Sequence, residues 1–315
     1  MAESLKLGIA VGENVVLNVF VMFLLMAIGF MLAKKKILTP DGVKQMTEML
    51  LMTVVPCVII DAYQRDFDIG MVKNLGLALF FATLMHIICI VIAPLVFRPR
   101  EDKKDRISIF SVIYSNCGFM ALPLIQSLYG SEGVFYAVAY ITVFNILYWT
   151  HGIYVYTKDI KQLSFKKAFT TPGVLGTLIG LVLFFLRIEL PLPVAKTVSF
   201  MAALNTPVPM IILGTYLVNL NLKKTIKDGQ LWAVCIFRLL VFPVIGIFVS
   251  TLINLPESVS MPLILSCACP AAAVATLFAV RYNLDSEYAS ETVSVSTLFS
   301  ILTIPIILIL AVMVK

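Results

Sequence analysis

Charged side chains are what this sequence has least of. Asp, Glu, Lys and Arg make up 13% of its 315 residues, about half the roughly 25% of a soluble domain. Hydrophobic residues make up 60%, and the mean hydropathy is +0.98. One water-soluble core of this length has no room for that much apolar surface, so the expected solvent is a lipid bilayer. Long polar loops are missing too, which leaves no place for a soluble domain. Only two histidines occur, His86 and His151, far apart and without clustered carboxylates, so no catalytic metal site is expected. No G-x-x-x-x-G-K-[ST] loop is present, so nothing points to ATP-driven transport. A membrane enzyme would need a nucleophile and base set that is also missing, and no cofactor is expected. Cys57, Cys89, Cys117, Cys235, Cys267 and Cys269 all lie in or at the edges of apolar runs, which predicts free thiols rather than a disulfide framework.

What is present is apolar sequence along the whole chain. A bilayer core of about 30 Å needs roughly 20 apolar residues in a helix. That ruler predicts ten spans, near 12–34, 43–63, 72–97, 106–127, 132–157, 172–188, 194–220, 229–252, 258–280 and 288–314. The run Val15 to Ala33 is longer than a signal-peptide core and is followed by Lys34, Lys35 and Lys36, so it reads as a retained first helix. The net charge of +6 resides in short loops between spans, a sign of topology and not of nucleic-acid binding. One set of loops holds Lys34, Lys35, Lys36, Lys44, Arg98, Arg100, Lys103, Lys104, Arg106, Lys158, Lys161, Lys166, Lys167, Lys223, Lys224, Lys227 and Arg281. The alternate set holds only Lys6, Arg65, Lys73, Arg187, Lys196 and Lys315. Positive residues favour the cytoplasmic side, so both termini are expected to face outward from the cell membrane.

The halves resemble each other at an offset of about 152 residues. "TVVPCVIIDAY" ending at Tyr63 matches "TPVPMIILGTY" ending at Tyr216, and His86 falls opposite Arg238. Pro40 aligns with Pro191, and "YAVAYITVFNIL" from Tyr136 pairs with "YASETVSVSTLF" from Tyr288. Five spans per half place the second half in the opposite orientation, giving inverted repeats over 1–157 and 158–315. Such symmetry makes two conformations of opposite access nearly equal in energy.

Two spans carry breaking signals at equivalent positions. The fourth contains Ser115, Asn116, Cys117, Gly118 and, further on, Pro123; the ninth contains Cys267, Cys269, Pro270 and Ala271. Proline removes a backbone donor and clashes with the preceding turn, and the freed groups in lipid need protein or a wet cavity to satisfy them. The alternative is a plain kink. Two interrupted helices meeting at mid-membrane would offer positive half-helix N-termini to an anion. Asn116, Asn145, Asn205 and Thr206 add polar groups able to hold a carboxylate, or to serve helix packing. Ionisable residues within spans are His86, His151, Arg238 and Glu291, with Asp61 near an outer end. Arg238 either meets a substrate carboxylate or pairs with Glu291; Glu291 alternatively answers Arg281; His86 is a proton carrier or a structural group. Gly176 and Gly180 have the small-xxx-small spacing of helix packing.

At "SNCGFMALPLIQSLYGSEGVFYAVAY", "NILYW" and "LFAVRYNLDSEYAS…STLFSILTIP" the chain resembles the auxin efflux carrier family, whose members include plant auxin exporters and bacterial carriers of malonate and malate. The resemblance spans essentially the whole chain. It implies an all-α fold of ten transmembrane helices related to sodium/proton antiporters and bile-acid symporters, with broken crossover helices 4 and 9. It further implies a scaffold domain (helices 1, 2, 6 and 7) and a transport domain (helices 3–5 and 8–10). Family substrate residues map onto Asn116, Pro123, Asn145 and the region of Pro270. Ala275 stands where plant members carry a second proline, which implies a less sharply unwound second crossover, and the loop Asn221 to Gly229 is short where many plant relatives have a long one. The expected function is alternating-access transport of small organic anions, of elevator or rocking type, driven by potential, substrate gradient, or a coupled proton or sodium ion. Expected partners are a small carboxylate, the bilayer, and a second copy through the scaffold helices. A ligand-gated sensor or channel is the alternative; it would need a continuous polar stripe that these spans lack.

Overall fold

The computed structural model describes residues 2–97, 103–219 and 225–314, with side chains over 15–97, 103–218 and 225–314. The topology-setting Arg98, Arg100, Lys223, Lys224 and Lys315, and the Lys6 side chain, lie outside it. In chain order the helices are α1 (Ala2–Lys34), α2 (Pro40–Met49), α3 (Val55–Tyr63), α4 (Ile69–Val96), α5 (Lys103–Ile113), α6 (Leu122–Leu147), α7 (Ile153–Thr157) and α8 (Phe165–Phe169). There follow α9 (Pro172–Phe185), α10 (Leu192–Ala203), α11 (Pro207–Tyr216), α12 (Gly229–Ile236), α13 (Phe242–Leu252), α14 (Glu257–Ala268), α15 (Val274–Arg281) and α16 (Ser286–Val314). Among the described residues the one β-type pairing is a single bridge, Ser115 to Ala271.

Eight stretches among the described residues are long and apolar enough to cross a bilayer: Val15–Lys34, Pro40–Tyr63, Ile69–Val96, Cys117–Thr157, Ile160–Phe185, Leu192–Tyr216, Gly229–Leu252 and Ser286–Val314. The ten expected spans differ from these in two places. Cys117–Thr157 runs 41 residues where the sequence predicts parts of two spans, turning only at Gly130, whose φ of 61° and ψ of −160° suit a residue without a side chain. The predicted ninth span divides into α14 and α15, neither long enough to cross alone.

Prolines act differently from the sequence expectation. Pro56, Pro123 and Pro243 each occupy the second residue of a helix. Each is preceded by a π-helical turn, Leu50–Val54, Cys117–Ala121 and Phe237–Val241 respectively. A proline ring clashes with the carbonyl four residues back; widening that turn by one residue relieves the clash without a free break. Pro123 therefore does not break the fourth span. Elsewhere helices start on ordinary caps: Thr39 accepts the Gly42 N–H (3.2 Å), Asp68 the Met71 N–H (2.9 Å) and Thr171 the Val174 N–H (3.4 Å).

Small residues set the closest helix contacts. A Cβ on Gly29 of α1 would lie 2.0 Å from the Ile211 carbonyl oxygen of α11, and one on Gly214 of α11 would lie 1.9 Å from that of Met26. Gly176 and Gly180 of α9 play the same part against Pro56 and Tyr63 of α3, at 2.9 Å each. The small-xxx-small spacing is thus a packing device, as its sequence implies. On one edge, α5, α12 and α16 are tied by a polar network. Lys104 bridges Asp228 at 2.6 Å, Gln230 donates to Asp105 (2.8 Å) and Ser108 (3.0 Å), and Ser108 meets the Tyr288 hydroxyl at 2.8 Å. Burial works to raise the Asp228 carboxyl. Hydrogen bonds from Lys104 and the Leu231 and Gln230 N–H groups, with the Lys104 charge, outweigh it and hold the group below its ordinary 3.8.

Two outcomes follow for thermal unfolding in detergent. Gly29→Leu or Gly214→Leu overpacks the α1–α11 contact and is expected to cost about 1–3 kcal/mol, whereas Gly76→Ala, at a position with open space, is neutral or slightly stabilising. A carboxyl held low stabilises the fold above its unfolded-state value and loses that contribution as pH falls through the folded value. Asp228→Asn should therefore lower the stability at pH 7 by on the order of 1 kcal/mol, read as a lower thermal midpoint, with the difference from wild type shrinking below pH 3.8.

Candidate functional site

The interruption in the fourth span falls at Tyr114–Asn116, just after α5, and that in the ninth at Cys269–Ala273, between α14 and α15. The two unwound segments pass each other antiparallel. The Asn116 N–H donates to the Pro270 carbonyl (2.7 Å) and the Ala272 N–H to the Tyr114 carbonyl (3.0 Å). The Ala271 N–H donates to Ser296 Oγ of α16 at 3.2 Å. In lipid an unpaired backbone group costs several kcal/mol, and here each break supplies partners for the other. The second break is the longer one, contrary to what Ala275 in place of a second proline implies. Its backbone groups bond Asn116, Tyr114 and Ser296, so one proline is enough to keep it open.

Arg238 sits behind this pairing. It is 0% exposed, in the π turn between α12 and α13. Nη1 donates to the carbonyls of Val112 (2.9 Å) and Ile113 (3.0 Å), and Nη2 to that of Cys267. These carbonyls end α5 and α14, so one guanidinium caps the negative ends of both half-helices. Arg238 does not line the cavity described next, and its Nη groups meet backbone carbonyls. Its Nη donors are committed to carbonyls that would otherwise be orphaned in the membrane, while the buried Nε has no partner among the described residues. Glu291 is buried on α16.

On the opposite side of the pairing lies a cavity of about 420 Å³. Both helix starts reach it: Asn116, Gly118 and Phe119 at the head of the α6 arm, and Ala272, Ala273 and Val274 at the head of α15. The first N–H groups of a helix have no acceptor within it, so positive ends face the cavity while the negative ends face Arg238. Asn116 is buried, and its Nδ2 has no partner among the described residues. Asn145 lines the same wall, with Nδ2 donating to the Ile141 carbonyl at 2.8 Å. Most of the remaining wall is apolar or aromatic, including Met52, Phe144, Tyr148, Trp149 and Leu277. Glu48, exposed, is the only charged side chain lining it among the described residues. The arrangement suits a guest with an anionic head and an apolar body.

Of the residues expected at a site, the fold brings Asn116, Gly118 and Asn145 to this cavity. Cys117, Cys269, Pro270 and Ala271 are buried in and beside the paired segments, and Pro123 is buried in α6. Asn205 and Thr206 sit at the α10–α11 break, where the buried Asn205 Oδ1 has no partner among the described residues. His86 lies on α4 with Nδ1 2.7 Å from the Ala82 carbonyl and its ring 4.7 Å from that of Tyr140. Asp61 is half-buried on α3, away from the cavity. All six cysteines are free thiols. Among the described residues no group of three or more His, Cys, Asp or Glu side chains could hold a metal. Sequence reasoning missed Thr47, Thr171, Tyr216 and Trp149 as wall residues, and the Tyr114 hydroxyl that meets His151 Nδ1 at 2.9 Å. The aromatic pair in "NILYW" was the one available signal, since nothing in their spacing joins the others.

A family model described as a membrane transport protein matches residues 14–308. Among curated proteins, the chain is similar to an uncharacterized transporter of Methanocaldococcus jannaschii, 21% identical over 298 residues, covering 91% of this chain and 95% of that protein. It is likewise similar to an uncharacterized transporter of Methanothermobacter thermautotrophicus, 24% identical over 296 residues, covering 92% and 95%.

Arg238→Met should destabilise the detergent-solubilised protein by about 3 kcal/mol or more, because three buried carbonyls lose a donor at about 1–3 kcal/mol each. Arg238→Lys should recover only part of that, since an ammonium lacks the fork that spans two helix ends. A thermal midpoint unchanged in Arg238→Met would remove the capping role.

Proposed function

This chain belongs to the membrane transport protein family, that of the auxin efflux carriers, and from that premise we propose that it carries small organic anions across the cell membrane by alternating access. The observation that carries the reading is the polarity of the paired breaks: two helix starts and Asn116, whose Nδ2 has no partner among the described residues, face one cavity, and Arg238 cancels the opposite ends. A carboxylate there receives N–H donors without facing a buried lysine or arginine, so release is not opposed by a full ion pair. Among carboxylates, the aromatic wall favours an auxin-like acid with one carboxylate on an apolar body over malate or malonate, whose second charge would meet that wall.

In this reading the chain has ten transmembrane helices in two inverted repeats, 1–157 and 158–315, with both termini outside the cell. The breaks near 115 and 271 and the paired glycine contacts of α1–α11 and α9–α3 support that symmetry. Helices 1, 2, 6 and 7 form a scaffold and helices 3–5 and 8–10 a moving body. The cavity wall draws Thr47, Met52, Thr171 and Tyr216 from the first set and Asn116, Asn145, Val274 and Leu277 from the second. A guest held between two bodies is what an elevator step requires. A homodimer through the scaffold would anchor it, and coupling to a proton or sodium ion is set by the energetics of the cell.

Counterflow into proteoliposomes, across a panel of aromatic monocarboxylates and short dicarboxylates with imposed pH, sodium and voltage gradients, tests the proposal. Saturable counterflow that prefers the aromatic acids is expected. Asn116→Ala should weaken apparent affinity about tenfold, the loss of one buried hydrogen bond, while leaving thermal stability near wild type. Ohmic currents without counterflow would overturn the carrier reading.

A further inference from the structure

We propose that residues 158–170, between α7 and α9, form a docking face for anionic phospholipid headgroups. The segment is held in shape by local polar bonds. Lys158 turns the chain out of α7 with a left-handed φ of 57°. Asp159 Oδ1 accepts the Lys161 N–H at 2.9 Å, and Ser164 Oγ accepts the Lys167 N–H at 3.2 Å. Ala168 is buried and Leu163 packs on the core, so one side is anchored.

The other side presents two kinds of group at once. Ile160, Phe165 and Phe169 are 70%, 65% and 52% exposed. Lys158, Lys161, Lys166 and Lys167 are exposed beside them, and none has an ion-pair partner among the described residues. The one acid in the stretch, Asp159, spends a carboxylate oxygen on backbone. Lys158 and Lys167 rest over the rings of Tyr154 and Trp149, at 5.5 and 5.9 Å.

The chemistry of the occupant follows from this mixture. Apolar side chains interleaved with lysines, at the junction of two membrane-crossing stretches, match an interface where acyl chains begin and phosphates end. An acidic polypeptide would satisfy the lysines but leave the isoleucine and two phenylalanines against charged groups. A zwitterionic headgroup brings no net charge, so the face should select anionic lipid, at about fivefold per lysine. The site adjoins the cavity: α8 leads directly into Thr171, Pro172 and Gly173, which with Trp149 form part of its wall. The proposal requires a bilayer but no transport step, so its failure is separable from failure of the carrier reading.

The test uses the full chain carrying Trp232→Phe, which leaves Trp149 as the only tryptophan. It is reconstituted in phosphatidylcholine vesicles containing brominated phosphatidylglycerol or brominated phosphatidylcholine at equal mole fraction. Brominated phosphatidylglycerol should quench Trp149 several-fold more effectively. That preference should weaken as salt is raised, persist in K161R/K166R/K167R and K34Q/K35Q/K36Q, and vanish in K161Q/K166Q/K167Q. Equal quenching by the two lipids in the otherwise unmodified chain, or a preference that survives the triple glutamine variant, would overturn the proposal. Salt-sensitive binding of poly-glutamate with no preference among lipids would assign the face to an acidic protein and overturn it equally.

Discussion

Backbone groups freed inside a bilayer have no water to turn to, and the architecture around residues 114–116 and 269–273 answers that constraint. A helix interrupted in hydrocarbon exposes several donors on one side of the break and several acceptors on the other, each expensive to leave unmade. One interrupted helix cannot repair itself. Two of them, placed antiparallel, can exchange bonds, as Asn116 with Pro270 and Ala272 with Tyr114 do. What the exchange leaves over is sorted by sign. Acceptors at the ends of α5 and α14 converge on the Arg238 guanidinium, while donors at the starts of the α6 arm and α15 remain at a cavity. The place where the fold is least regular is therefore also where it is electrostatically polarised.

Under the proposed reading, that polarity lets a membrane protein this poor in charge address an anion. A lysine in the cavity would need a partner when empty and would hold a carboxylate too firmly when full. Backbone dipoles impose neither penalty, because they are fixed by the fold and carry only partial charge. The Arg238 guanidinium is kept apart from the cavity, fully buried, with its Nη groups donating to three carbonyls. Around this centre the rest of the protein supplies rigidity by close approach: glycines bring α1 onto α11 and α9 onto α3, and widened turns ahead of Pro56, Pro123 and Pro243 bend helices without opening them.

How much of this was legible without coordinates depended on whether a property is local. Membrane embedding follows from composition and run length alone, because the bilayer imposes one ruler on every span. The identity of the interrupted helices was legible from Asn116-Cys117-Gly118 and Cys269-Pro270-Ala271, since proline and small residues carry their backbone preferences wherever they stand. The same logic misplaced Pro123, for a proline at the second residue of a helix is tolerated once the turn before it widens. It could not place the carbonyl partners of Arg238, because a buried arginine is ordinarily matched with a carboxylate, and nothing in the sequence says that two helix ends 125 and 29 residues away offer carbonyls.

By itself, then, the sequence determined the solvent, the family, the positions of the breaks to within a few residues, and the packing role of Gly176 and Gly180. Only the tertiary structure decided which side of each break faces the cavity, that Asn116 and Asn145 share one wall while Asn205 does not, and that Trp149, Thr171 and Tyr216 complete it. The physical reason is the same in each case. Helix-breaking and hydrophobicity act over one or two turns, whereas the direction of a half-helix dipole and the lining of a cavity depend on how segments more than a hundred residues apart come together.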